Sequence, residues 1–69
     1  MSYRQKCLAV DPGLRCERAR WGETIYYKVI QTDHNEIEGA IGEGMSAAMA
    51  WKDALYYLRG NYDNRKIHY

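Results

Sequence analysis

Phenylalanine is missing from this chain altogether, proline occurs once, and cysteine and histidine occur twice each. Two cysteines allow at most one disulfide, so a disulfide-stapled miniprotein is excluded. Cys7, Cys16, His34 and His68 are the only soft metal ligands. None pairs at the short C-x-x-C or H-x3-H spacing that sets two ligands on one turn, so neither a metal nor a cofactor is expected. The same scarcity disfavours nucleophilic catalysis, which needs a Cys–His or Ser–His pair with an orienting acid. The chain reads as non-enzymatic. Long apolar runs are also missing: nothing approaches a membrane span, and MSYRQKCLAVD has no apolar segment of the signal-peptide kind. A cytoplasmic location with reduced thiols is the expectation.

Net charge is close to absent at +1, which removes any global attraction to nucleic acid or anionic lipid. Its distribution is uneven. Residues 1–20 hold Arg4, Lys6, Arg15, Arg18 and Arg20 against Asp11 and Glu17. Residues 21–45 hold only Lys28 against Glu23, Asp33, Glu36, Glu38 and Glu43. A basic sheet edge and an acidic loop follow, each a candidate docking surface. The length allows one domain, residues 1–69, with a modest core for which a homodimer or a partner protein is a natural support.

What is present is an organised series of short elements. Lys6–Val10 reads as a strand stopped by Asp11-Pro12-Gly13, whose Pro12-Gly13 pair suits the middle of a type II turn. A two-residue hairpin there sets Cys16 opposite Ala9, away from Cys7. Leu14–Trp21 alternates charged and apolar residues like an edge strand, and Gly22-Glu23 supplies the next turn. Thr24–Thr32 is β-branched and aromatic, with Ile25, Tyr27 and Val29 on one face and Tyr26, Lys28 and Ile30 on the other, so it is placed centrally. Asp33-His34-Asn35 turns the chain into a fourth strand over Glu36–Ile41. Gly39, Gly42 and Gly44 then let the backbone turn sharply into a helix.

That helix is the most regular feature. Ser46 stands at the N-cap, and Ala47, Ala50, Trp51, Ala54, Leu55 and Leu58 form one apolar ladder ending near Arg59, before Gly60. Met45, Met49 and Tyr56 form a second stripe beside it, with Tyr57 adjacent. Seven tyrosines and two tryptophans make up all the aromatic content, and such side chains combine large apolar area with a polar handle. Arg65–Tyr69 is a candidate final strand.

Two resemblances attach to residues 36–58. Glu36-Ile37-Glu38-Gly39, then Gly44-Met45-Ser46, then Ala50, Ala54 and Leu58 resemble the core of HicB-type antitoxins, in which a strand ending D-L-P-G precedes G-D-T/S and a helix with A-x-x-x-A. Here Glu38 replaces the Pro and Met45 the Asp. The resemblance implies a cytosolic, dimer-forming sheet-and-helix module that neutralises a small ribonuclease, of the accessory kind common on phages and mobile elements. Gly42, Gly44, Ser46 and Ala50 are also similar to the G-x-G-x-S-K-K-x-A-K stretch of double-stranded RNA-binding domains. That family's three lysines correspond to Ala47, Ala48 and Trp51, and no leading helix is read before the sheet.

The sequence therefore implies an α/β (α+β) domain: an antiparallel sheet of three or four strands with one C-terminal helix on a face, and possibly a further C-terminal strand. Its expected role is to bind and occlude a partner protein, host or toxin, through Met49, Tyr56, Tyr57, Arg18, Arg20 and Trp21. The alternative is nucleic-acid binding along Arg15, Arg18, Arg20 and Trp21.

Overall fold

The computed structural model describes residues 1–60, which form an α+β fold in the order α1 (Tyr3–Val10), β1 (Arg15–Trp21), β2 (Thr24–Thr32), β3 (Glu38–Gly44) and α2 (Ala47–Leu58). The candidate strand over Arg65–Tyr69 lies outside the described residues. The sheet is antiparallel with order β1-β2-β3, so β2 is central and β1 an edge, as their compositions predict. Trp21 pairs with Thr24 across Gly22-Glu23, and Gly22 takes the positive φ of 61° that a two-residue hairpin with glycine first requires.

The first element corrects the sequence reading: Lys6–Val10 is not a strand but the end of α1. The helix begins in a capping box. Ser2 Oγ accepts the Gln5 N–H at 3.1 Å, and Gln5 Oε1 accepts the Ser2 N–H at 2.8 Å. Cys7 is fully buried with Leu8 half-buried beside it, whereas Ala9 and Val10 are exposed. That is one turn of a helix touching a core, with no strand alternation. Cys16 accordingly pairs with Val29 rather than Ala9. Asp11–Leu14 joins helix to strand: Leu14 N–H donates to the Asp11 carbonyl at 3.3 Å and Gly13 N–H to Asp11 Oδ1 at 3.0 Å. Gly13 keeps a φ outside the left-handed region, so this is not the expected type II turn.

Ser46 caps α2, its Oγ accepting the Met49 N–H at 3.2 Å, and Gly60 follows the helix with φ 79°. Ala50, Trp51, Ala54 and Leu55 are buried as the ladder predicts, while Leu58 is half-buried and Ala47 exposed. The glycines do something other than turn. Gly42 and Gly44 lie inside β3, which runs on past the expected end at Ile41. A Cβ on Gly42 would stand 2.4 Å from Ala54 N, and one on Gly44 2.6 Å from Met49 Cβ. Their missing side chains let α2 lie directly on the strand, running back along it.

α2 covers the sheet face that carries Tyr27 and Val29, and α1 packs against α2. One apolar cluster joins Cys7 of α1 and Leu14 to Val29, Ile41 and the buried ladder of α2. The Cys7 thiol donates to the Trp51 carbonyl at 3.3 Å, tying the two helices together. Among the described residues, no helix lies on the opposite face of the sheet.

Candidate functional site

Strand register sorts the residues of that open face into rows. Arg15, Ile30 and Ala40 share one row, Glu17, Lys28 and Glu43 the next, then Ala19 with Tyr26, and Trp21 with Thr24 at the hairpin end. Arg15 bonds Glu17 Oε2 through Nε and Glu38 Oε1 through Nη2, both at 2.7 Å. Since Arg15 is on β1 and Glu38 on β3, its side chain crosses β2 at Ile30. This explains why Ile30 is only 5% exposed on a face without a helix. The hydrogen bond from Arg15 holds the Glu17 carboxyl below the usual range, and the same bond raises Arg15. Arg15 is thus committed to this clasp rather than presented to a ligand.

At the hairpin end the open face is apolar, and no other described element covers it. Trp21 is 81% exposed, Met45 62% and Met49 54%. Together with Thr24, half-buried Tyr26, Glu43 and Gly44 they line one cleft of about 480 Å³. Three local causes build it. The Gly22-Glu23 loop fixes Trp21 opposite Thr24, so Tyr26, two residues on, shares its face. Gly44 brings the start of α2 down onto the sheet, and the Ser46 cap turns the chain so that Met45 and Met49 flank the strand ends. Glu43 is fixed at its backbone, where its N–H donates to Asp53 Oδ2 of α2 at 3.0 Å. That bond also occupies a donor of β3, an edge strand.

The expected partner residues do not form one site. Met49 and Trp21 meet in the cleft. Tyr56 is exposed farther along α2, two turns after Met49, and Tyr57 is half-buried against the core near Ile37–Ile41. Arg18 and Arg20 pair with Tyr27 and Ile25, which places them on the helix-covered face, opposite to Trp21; both are exposed. Neither belongs to a salt bridge among the described residues. Met45 belongs to the stripe, and Glu43 to the acidic segment, that the sequence marks as docking surfaces, whereas Tyr26 is expected only as a strand residue. Counting outward from the two-residue loop would have found Tyr26.

Both thiols are free, Cys7 buried and Cys16 half-buried. Burial pushes both upward, with Arg59 opposing this at Cys7 and Glu17 adding to it at Cys16. Among the described residues no group of three or more His, Cys, Asp or Glu is placed to hold a metal ion, and no helix is long and apolar enough to cross a membrane. No protein-family model, curated protein or solved structure matches this chain.

Proposed function

We propose that this protein is a non-enzymatic interaction module that binds a partner protein through the Trp21 cleft. The observation that carries this reading is the exposure of Trp21, Met45 and Met49 around one concave site assembled from the hairpin, β3 and the start of α2. Leaving so much aromatic and thioether surface in water is unfavourable, and clustered surface of this kind marks interaction sites. Tryptophan is a preferred anchor and methionine adapts to the shape of what it meets. The likeness to HicB-type antitoxins agrees with an occluding role. In this chain, however, Gly44, Ala50 and Ala54 serve close packing and Ser46 serves as a cap, so the reading rests on the cleft.

A photo-crosslinking residue at position 21, compared with one at exposed Lys52 on α2, tests it in cell extract. A discrete adduct from position 21 and none from position 52 is expected, with an adduct of twice the chain's mass identifying a second copy as the partner. Equal, diffuse labelling from both positions would refute the reading.

One observation favours nucleic acid as a second reading. A helix, α1, precedes the sheet as in double-stranded RNA-binding domains, and Arg4, Lys6, Arg18 and Arg20 lie on the helix side. Against it, the first turn of α2 offers Ala47 and Ala48 where RNA-binding domains place lysines, and Trp51 is buried. The phosphate contacts that supply most such affinity are therefore few.

A further inference from the structure

Among the described residues, the charges on the helices and strands separate by face. The helices carry Arg4, Lys6, Lys52 and Arg59 against Asp53, and the helix-covered face of β1 adds Arg18 and Arg20. The open face carries Glu17, Glu38 and Glu43 against Arg15 and Lys28, with Glu23 at the hairpin tip. Arg15 is spent on Glu17 and Glu38. Lys28 stands between Glu17 and Glu43 in the same row and forms a salt bridge with neither. Of the residues lining the cleft, Glu43 alone is charged, and it is exposed and in no salt bridge among the described residues.

A carboxylate that forms no salt bridge among the described residues, beside two electron-rich rings and two thioethers, has a definite chemical preference. The ring faces of Trp21 and Tyr26 carry negative quadrupole potential, which adds to Glu43 and attracts a guanidinium or ammonium group. Met45 and Met49 take up apolar surface with little demand on its shape. We infer that the cleft receives a partner-protein segment in which a basic residue adjoins an apolar one, the cation set against Glu43 and the aromatic rings and the apolar side chain against the methionines. This rests on the reading of the cleft as a protein-binding site and specifies the chemistry of what enters it. An acidic segment meets Glu43, with Glu17 beyond Lys28 in the same row, and is disfavoured by those carboxylates.

Two unstructured twelve-residue peptides of Leu and Gly, one bearing arginines and the other glutamates at the same positions, serve as probes. Binding is read from the two indole N–H signals in a ¹⁵N-labelled sample, with Trp21 and buried Trp51 as internal site and control. The arginine peptide should move the Trp21 signal saturably, leave Trp51 in place and bind at least about tenfold more tightly than the glutamate peptide, a difference expected to shrink with salt. Glu43→Lys, whose side chain is exposed, should reverse the order of the two peptides. Equal binding of both, or an order unchanged by Glu43→Lys, would overturn the charge preference while leaving the cleft a docking site. A single-stranded oligonucleotide that moves Trp21 more strongly than the arginine peptide would also overturn it. If neither peptide moves Trp21 although position 21 crosslinks one discrete protein, the chemistry inferred here is wrong and the proposed function stands.

Discussion

Gly42 and Gly39 lie three residues apart in the same strand, yet alanine at the two positions should behave oppositely. At Gly42 the new methyl meets Ala54 N at 2.4 Å and the Ala50 carbonyl at 2.5 Å, backbone atoms that move only if the whole helix moves. A loss of about 1–3 kcal/mol is expected, with the outer value if α2 lifts from β3. At Gly39 nothing lies within 4 Å, so alanine should be neutral or slightly stabilising through the unfolded chain. Urea unfolding of the two variants decides the matter, and equal effects would refute the close-approach account. Trp51→Ala should be worse than either. It removes an indole that is 5% exposed at the centre of the core, at a cost of about 3–5 kcal/mol, comparable with the whole stability of a small domain. A thermal midpoint within a few degrees of wild type would contradict this. Cys7 should react with a disulfide reagent only as fast as the fold opens, because its thiol is fully buried and raised by that burial, and Cys16 should react first.

The helices differ in how much of their stability is their own. α2 has four buried residues and a cap, so Ser46→Ala should cost about 1 kcal/mol and leave the fold intact. α1 is only eight residues long and is fixed by its capping box, Cys7 and Leu8. A helix of that length does not persist alone in water. Ser2→Ala should therefore loosen α1 before the sheet, seen as early amide exchange over residues 3–10 with β2 still protected. On the open face the Arg15 clasp sets an acid response. The folded Glu17 carboxyl is lowered by Arg15, so its contribution is present above the ordinary carboxylate range and is lost as pH falls through the folded value. Glu17→Gln should flatten the acid limb of the stability curve, by a small amount because the pair is solvent-exposed. The thiols work the other way: their raised values favour the neutral form in the fold, and stability declines as pH rises above the ordinary thiol range.

At the scale of the whole molecule, the placement of the three arginines of β1 limits what that strand can bind. Arg18 and Arg20 face the helix side, and Arg15 is held on the opposite face by Glu17 and Glu38, so the three form no continuous track for a phosphate chain. Non-specific nucleic-acid binding in the range of roughly 10⁻⁴–10⁻⁶ M at physiological salt is the expectation, reduced further by Arg18→Glu with Arg20→Glu. A sub-micromolar, sequence-dependent signal in filter binding, abolished by that pair of substitutions, would move the nucleic-acid reading ahead of the protein-binding one. Trp21→Ser with Met49→Lys should leave the thermal midpoint nearly unchanged, since both side chains are exposed, and should eliminate partner capture.

Local chemistry by itself determined a good part of this protein. The ladder of α2 with its Ser46 cap, the β2 strand and its two faces, the Gly22-Glu23 hairpin and the exposed charge of β1 follow from period, turn residues and propensity, which act within a few positions. The first ten residues show where that reach ends. Ser2 and Gln5 spell a capping box, but a single turn of apolar residues before a Pro-Gly pair fits a strand as well as a helix, and contact between Cys7 and the Trp51 backbone settles it from forty-four positions away. The glycines of β3 look like turn residues until α2 is laid on them. The cleft is a tertiary object altogether. Its parts were legible singly, as an exposed tryptophan, a methionine stripe and an acidic segment, but strand pairing and the close approach of α2 decide that they meet. Sequence spacing fixes which face of its own element a side chain takes; only the packing of one element on another, driven by burial of apolar area that is non-local in the chain, decides what that face meets.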